Sequence, residues 1–154
     1  MRISIVSWFI AGALLSALLL TNNVAAAEMS PVGSWKTIDD KTGKEKSIVE
    51  ISEQNGELTG KVAQILNSDK GPNPLCDACD GERKNQPVLG MTILWGVKKD
   101  GDVWDGGSIL DPNNGKTYGV KLTPIENGTK LQVRGFIGFS LLGRTQFWIR
   151  SEQQ

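Results

Sequence analysis

Residues 129–150 contain two runs in which the side chains alternate between two faces with a period of two. This period is typical of β-strands, because successive side chains of a strand point in opposite directions. Between the runs, segment 138–143 supplies the glycines that a hairpin turn requires. We expect one face of the hairpin to be aliphatic, with Leu131 and Val133, and the other to carry arginine, glutamine and large aromatics. A hairpin that uses both faces favours a closed barrel over a plain sandwich.

Further strand-like runs recur along the chain at short spacing, with glycine or asparagine between them. No stretch shows the periodicity of an amphipathic helix of usual length. With the terminal hairpin, the pattern predicts eight strands: residues 32–38, 47–52, 57–66, 91–97, 102–110, 116–125 and the two runs of 129–150. Eight consecutive hairpin-linked strands on about 120 residues predict an all-β fold, an eight-stranded antiparallel up-and-down barrel.

Residues 1–27 are predicted to be a signal peptide rather than part of this barrel. A short positive start precedes an uncharged run, residues 3–20, and Ala25 and Ala27 stand at the two positions that a signal peptidase reads. Cleavage there leaves residues 28–154 as one barrel domain, periplasmic or secreted, with no stable membrane insertion afterwards. An uncleaved single-pass anchor is the alternative, because the apolar run is long for a signal peptide.

The chain has 17 basic residues, 17 acidic residues and no histidine. Loss of Arg2 with the signal peptide leaves 16 basic against 17 acidic residues, a net charge of about −1. Such a chain has no electrostatic footprint for nucleic acid or for an anionic membrane surface. The absence of histidine removes the commonest general base and the commonest metal ligand. We therefore expect neither a metal nor another cofactor.

Cys76 and Cys79 stand in a Cys-x-x-Cys loop within the long polar segment 67–87. A redox-active dithiol, half of a metal site and a structural disulfide are the three alternatives. A structural zinc site usually takes four cysteine or histidine ligands, and this chain has two cysteines and no histidine. A reactive thiol needs a basic neighbour or a helix N-terminus to lower its pKa, whereas Asp77 and Asp80 flank these cysteines. A disulfide formed in an oxidising compartment is the favoured interpretation.

Paired carboxylates are the remaining route to hydrolytic chemistry, and Glu50, Asp105 and Asp111 are the candidates. No two of them stand at a defined spacing. Asp111 precedes Pro112 in a predicted turn, where aspartate commonly caps its own backbone. Solvated or turn-capping roles suit all three better, and the sequence therefore predicts no catalytic residues.

The tripeptide Gly33-Ser34-Trp35 begins the first predicted strand. It resembles the signature of lipocalin-like barrels, in which the tryptophan plugs the closed end and an arginine of the last strand stacks on it. The strand directions agree, because the start of the first strand and the end of the eighth meet at the same end of an up-and-down barrel. Arg150 lies at that end, and a guanidinium over an indole gains cation–π attraction. Trp35 and Arg150 are therefore expected to close the barrel.

Motifs spread over residues 30–150 form a wider pattern: Gly33-x-Trp35, Ile48-Val49-Glu50-Ile51, Gly60-Lys61, Cys76-x-x-Cys79, Gly90-Met91, Gly107-x-Ile109-Leu110-Asp111-Pro112, Arg134-Gly135 and Gly143-Arg144-Thr145-Gln146. Together they resemble a family of small secreted bacterial proteins of unknown function whose fold is similar to that of lipocalins. The resemblance implies a calycin-type barrel that is exported across the inner membrane. It implies no activity, substrate or catalytic residue.

The predicted ligand contacts are aromatic side chains and arginines of the strands: Trp95, Trp104, Tyr118, Arg134, Phe136, Arg144 and Trp148. The aromatics would contact a small, partly apolar or amphipathic molecule, and the arginines would bind its carboxylate or phosphate head group. The sequence therefore predicts an exported, non-catalytic barrel that binds a small ligand. The alternative is a structural or interaction protein of the cell envelope with a filled barrel, acting through its outer surface or as a homodimer.

The first testable prediction concerns processing. We expect the exported protein to begin at Glu28, because Ala25 and Ala27 satisfy the peptidase. Intact-mass measurement on the periplasmic fraction checks this. A membrane-bound species that retains residues 1–20 would contradict it.

Overall fold

The computed structural model describes residues 29–151, so the predicted signal peptide lies outside the described residues. Eight strands follow one another along the chain: β1 (Gly33–Ile38), β2 (Glu45–Gln54), β3 (Glu57–Ile65), β4 (Thr92–Asp100), β5 (Val103–Asp111), β6 (Lys116–Ile125), β7 (Lys130–Phe136) and β8 (Gly143–Arg150). Short 3₁₀ turns lie at Gly81–Arg83 and Glu126–Gly128. Within residues 29–151, no helix has the length and apolar character needed to cross a membrane.

Each strand pairs antiparallel with the next, and β8 pairs with β1, so the sheet closes into a barrel. This confirms the predicted eight-stranded up-and-down architecture. The turns after β1, β3, β5 and β7 lie at one end, which we call the upper end. The start of β1 and the end of β8 lie at the opposite, lower end. At the β2–β3 turn, Asn55 and Gly56 have φ values of 55° and 78°, the conformation that a tight two-residue hairpin needs.

The seam between β1 and β8 is short. Trp35 pairs with Arg150 and Lys36 with Ile149, and the Ser151 amide donates a hydrogen bond to the Ser34 carbonyl at 2.8 Å. Above these pairs, no register pair joins the described residues of the two strands. The barrel is therefore closed by backbone hydrogen bonds at its lower end and depends on side chains further up.

The β7–β8 hairpin does not have the predicted division into an aliphatic face and an arginine-rich face. Leu131 pairs with Trp148 and Val133 with Gln146, and directly opposed residues share a face. Leu131, Val133 and Trp148 are all buried, whereas Phe147 is half exposed. The alternation within each strand is as expected. The predicted division was wrong because the register across the turn decides which face of β8 joins which face of β7.

The barrel core takes at least one buried side chain from every strand: Trp35, Val49, Val62, Leu94, Trp104, Leu122, Leu131 and Trp148, in strand order. Glycine makes room where two strands bring bulky side chains together. A Cβ atom on Gly60 would lie 2.9 Å from the Cβ atom of Leu94, closer than packed carbons approach. The strands therefore pack into one continuous core.

The connection between β3 and β4, residues 66–91, forms a cap loop against the upper end. A disulfide joins Cys76 to Cys79, and both cysteines are buried in the core. The Cys76 amide donates to the Gln86 carbonyl at 2.8 Å. Gly115, in the β5–β6 turn, packs so closely on the backbone of Ala78 that a Cβ atom there would clash. The segment has a polar sequence, but the structure makes it part of the packed fold.

The contact between the cap loop and the β5–β6 turn yields a second prediction. Gly115 and Gly43 both have a φ of 70°, and a Cβ atom on Gly43 would meet nothing within 4 Å. Gly43→Ala should therefore cost only the strain of the left-handed backbone, about 1 kcal/mol of unfolding free energy. Gly115→Ala should cost a further ~1–3 kcal/mol, because it also forces the loop backbone away.

Urea unfolding of the two variants measures this difference, and hydrogen exchange reports on the cap loop. Faster exchange at residues 76–88 is expected in Gly115→Ala but not in Gly43→Ala. Equal losses of stability in the two variants would show that the cap loop does not depend on this contact.

Candidate functional site

The lower end of the barrel is closed by Trp35. Its side chain is fully buried, and its Nε1 donates a hydrogen bond to the Pro31 carbonyl at 2.7 Å. The guanidinium carbon of Arg150 lies 4.2 Å from the centre of the indole ring, within the range of a cation–π interaction. The structure therefore brings together the two residues that the sequence assigns to the closed end.

Arg150 also donates hydrogen bonds to three backbone carbonyls in two stretches of the chain, residues 30–32 and the turn before β7. Its Nε donates to the Gly128 carbonyl at 2.5 Å, its Nη1 to Val32 at 3.1 Å, and its Nη2 to Ser30 at 2.9 Å. Gly33 has a φ of 127°, and a Cβ atom there would lie 2.6 Å from Nη1 of Arg150. The glycine of the Gly-x-Trp tripeptide therefore leaves space for the arginine.

Two of the predicted ligand contacts fill the barrel core instead of lining a cavity. Trp104 and Trp148 are 6% and 2% exposed. Leu94, Leu122 and Leu131, which surround them in the same core, are 0% exposed. A side chain with no accessible surface touches no space as large as a water molecule. The middle and the lower part of the interior are therefore packed.

Three further predicted contacts lie on the outer face. Trp95 follows the buried Leu94 on β4 and carries the Arg83 guanidinium 4.6 Å from its ring centre. Phe136 lies over Gly119, where a Cβ atom would meet its ring at 2.7 Å. Arg134 is opposite Thr145 and donates to its Oγ1 at 2.9 Å. These residues cannot share one pocket with Trp104 and Trp148.

The remaining two, Tyr118 and Arg144, lie at the upper end. The Tyr118 hydroxyl accepts a hydrogen bond from Asn114 Nδ2 at 3.0 Å. The Nε of Arg144 lies 3.2 Å from Asp40 Oδ2, and Gln146 Nε2 donates to the same oxygen at 2.9 Å. Asp40 thus bridges β8 and the β1–β2 turn above the short seam. The contact between Asp40 and Gln146 is not predictable from the sequence, because 106 residues separate the two and no local spacing marks the pair.

Two carboxyl groups at this end have depressed pKa values. Hydrogen bonds from the backbone and side chain of Thr42 lower the pKa of Asp39, and a hydrogen bond from Lys70 lowers that of Asp77. A depressed carboxyl pKa stabilises the fold above the ordinary value, and this contribution is lost as the pH falls through the lowered value. The side chain of Asp39 is 28% exposed and that of Asp77 is 58% exposed. Each carboxyl group is held by neighbours within its own turn or loop, so both fasten local structure.

The β7–β8 connection, residues 137–142, carries an unexpected surface that we call the apolar tip. Ile137, Phe139, Leu141 and Leu142 are 65%, 78%, 88% and 72% exposed. Turns of soluble proteins are usually polar, and exposed apolar patches mark interaction sites. The glycines of this segment predict only a turn. Its four large apolar residues are the signal in the sequence that indicates the exposed surface.

Of the three candidate carboxylates, Glu50 is exposed, and the other two have structural partners. Asp105 forms an ion pair with Lys121 at 3.2 Å, and Asp111 accepts a hydrogen bond from the Asn113 amide at 3.0 Å. In the part of the chain that the structure describes, no group of three or more acidic or cysteine side chains is placed to hold a metal ion. Two open depressions, of about 480 and 390 Å³, lie outside the barrel, one beside Gly96 and Asp105 and the other along the cap loop.

Comparisons with known proteins agree with this architecture. A family model described as "Uncharacterized protein conserved in bacteria (DUF2147)" matches residues 33–150. A solved structure, protein HP1028 from the human pathogen Helicobacter pylori, which belongs to the lipocalin family, is similar with a TM-score of 0.69. It is 22% identical in sequence, and the match covers 80% of this chain and 84% of that protein. The likeness shows a lipocalin-like fold. No curated protein matches the chain.

The closed lower end yields a third prediction. Trp35→Ala should lower the unfolding free energy by ~3–5 kcal/mol, as for other large buried aromatics. Arg150→Lys should cost less, about 1–2 kcal/mol, because lysine keeps the charge but loses the stacking plane and the fixed fork of donors. Removing both should cost less than the sum of the two losses, since each residue supports the other.

Arg144→Lys is the matched control, because Arg144 precedes Arg150 on the same face of β8 and is 66% exposed. Its effect should be small and should add to that of Trp35→Ala. Urea unfolding of the single and double variants measures these couplings. Coupling of Trp35 to Arg144 and not to Arg150 would contradict the assignment.

Proposed function

The chain belongs to the bacterial family DUF2147, and we propose that it is an exported, non-catalytic, lipocalin-like barrel that acts through its outer surface. The proposal takes the second of the two functions that the sequence allows. In this proposal the side chains of the barrel interior stabilise the fold, and the exposed loops bind a partner. The functional site then lies on the outer surface of the molecule.

The packed interior is the observation that carries this proposal. Trp35, Leu94 and Leu122 have no accessible surface, and Trp148 is 2% exposed. An eight-stranded barrel is just wide enough either for packed side chains or for one small ligand. Here the side chains occupy the volume that a ligand would need. Binding a molecule inside would require displacing at least one buried indole, which costs several kcal/mol.

A non-catalytic role is supported by the chemistry of the available side chains. The chain has no histidine, and the carboxylates of Asp105 and Asp111 are held by a lysine and by an asparagine amide respectively. These partners give both carboxylates structural roles. The buried Cys76–Cys79 disulfide offers no accessible thiol.

Export is supported by two independent features. The N-terminal sequence has the charged start, apolar run and Ala25-x-Ala27 site of a signal peptide. The disulfide suits an oxidising compartment, because cytosolic thiols are kept reduced. A periplasmic or secreted location fits both features.

Ligand binding at the upper mouth of the barrel is the second candidate function. In favour of it, inward positions change from fully buried at the lower end to half-buried at the upper end, where Ile109, Tyr118 and Gln146 lie. A small amphipathic molecule bound there would contact Tyr118 and place an acidic head group near Arg144. Such a site would be a shallow mouth rather than an internal pocket.

Retention of small molecules decides between the two candidates. Native mass spectrometry of protein purified from the producing cell should give the mass of the polypeptide alone. An apolar fluorescent probe should not enter the interior of the parent protein, and any binding to the exposed apolar tip should be lost in Phe139→Ser/Leu141→Ser. Trp148→Leu is the positive control, because removing the indole opens space that an apolar probe can fill.

The second candidate requires the opposite result. A retained molecule, or probe binding by the parent that is lost in Tyr118→Ala and in Arg144→Ala, would replace the surface role with a ligand site at the mouth. Denaturing mass spectrometry of the same sample distinguishes a bound molecule from a covalent modification.

A further inference from the structure

The apolar tip is largely exposed to solvent, and the packing of the barrel does not explain why its side chains are apolar. Its four large side chains, Ile137, Phe139, Leu141 and Leu142, have between 65% and 88% of their surface accessible. They occupy one six-residue connection and protrude beyond the ends of β7 and β8. Single exposed apolar residues are common, but a contiguous group of four marks a surface that another apolar phase covers.

The tip is also held in a defined shape. Arg134 donates from Nε to the Ser140 carbonyl at 2.5 Å and from Nη2 to the Leu141 carbonyl at 3.1 Å. The Leu142 amide donates to the Phe139 carbonyl at 3.0 Å. One arginine thus satisfies the backbone of the turn while the apolar side chains point outward. This pre-organisation reduces the entropy lost when the tip becomes buried.

The hairpin residues next to the tip carry positive charge. Arg134 lies on β7 and Arg144 on β8, and residues 127–151 contain no acidic residue. Arg144 stands at the base of the tip and is 66% exposed, although Asp40 neutralises part of its charge. A cationic base beneath an apolar tip matches the order of layers in a bilayer, phosphate outside and hydrocarbon inside.

The size of the tip argues against a second copy of the chain as its occupant. Four side chains on one turn offer at most a few hundred Å² of apolar surface. A stable protein–protein interface buries about 800 Å² on each partner and has a shape complementary to it. Lipid, in contrast, flows around an apolar protrusion of any shape.

We propose that the apolar tip inserts into the surface of a lipid bilayer, with Arg144 at the level of the phosphate groups. This inference rests on the proposed surface role and names the partner of that surface. Burial of apolar side chains supplies most of the attraction, because the chain as a whole carries almost no net charge. The barrel itself remains outside the bilayer and is held at its upper end.

The test uses the protein as recovered from the exporting cell and vesicles of phosphatidylcholine, with or without a minor fraction of phosphatidylglycerol. The tip variant Phe139→Ser/Leu141→Ser should bind at least about tenfold more weakly than the parent, because each side chain loses a full transfer into hydrocarbon. The control variant Phe147→Ser/Leu89→Ser removes the same residue types from other exposed positions. It should bind within about twofold of the parent.

A reporter variant identifies the tip directly, whatever N-terminal segment the recovered protein carries. Phe139→Trp places an indole in the tip, and lipids brominated in their acyl chains should quench its fluorescence. The phosphatidylglycerol fraction should tighten binding, and Arg144→Gln should reduce that increase. Thermal unfolding should be unchanged in the tip variant, since the altered side chains are exposed.

Three results would overturn the proposal: unquenched Phe139→Trp fluorescence, equal binding losses in the tip and control variants, or conversion of a dimer to a monomer by the tip variant. The last would identify a second copy as the occupant. If vesicle binding fails while the interior still excludes apolar probes, the lipid partner is wrong and the surface role stands. If the interior takes up ligand, the proposed function itself is wrong.

Discussion

The contact between Trp35 and Arg150 is the interaction on which the rest of the structure depends. It joins the first strand to the last, fills the lower end with an indole, and binds three backbone carbonyls from two stretches of the chain to one guanidinium. The seam beside it has only two register pairs. Without the stacked pair, the sheet would keep two free strand edges, which attract other chains. Closure therefore depends on side chains as much as on the backbone.

Closure of the lower end and packing of the interior determine what the molecule offers to others. The buried tryptophans Trp104 and Trp148 take the space that an eight-stranded barrel can otherwise leave for one small ligand. Polar side chains at the upper end mainly bind one another, as the contacts of Asp40 with Arg144 and Gln146 illustrate. What remains available is the outside of the barrel, and the apolar tip is its most exposed apolar feature.

Local sequence patterns predicted the strands. The alternating direction of strands in an up-and-down barrel predicted that the start of the first strand meets the end of the last. Period-two runs and Asn-Gly turns indicated eight strands. With eight alternating strand directions, Trp35 and Arg150 are expected at the same end of the barrel. The predicted ligand contacts do not share one site, because Arg134 and Trp148 lie on opposite faces of the sheet. No local sequence signal determines the register across the β7–β8 turn. The burial of Cys76 and Cys79 was equally invisible, because it depends on a contact with the distant Gly115 turn.

The position of Arg150 at the end of the last strand has a kinetic consequence. Neighbouring strands form hairpins from contacts close in sequence, and such contacts form early because their loops are short. Trp35 must wait for a partner 115 positions along the chain. The first seven strands can therefore form an open, curved sheet, and its lower end closes only when β8 pairs with β1. Chaperones that bind exposed strand edges would have their longest opportunity during that interval, and we expect the contact of Arg150 with Trp35 to form late in folding.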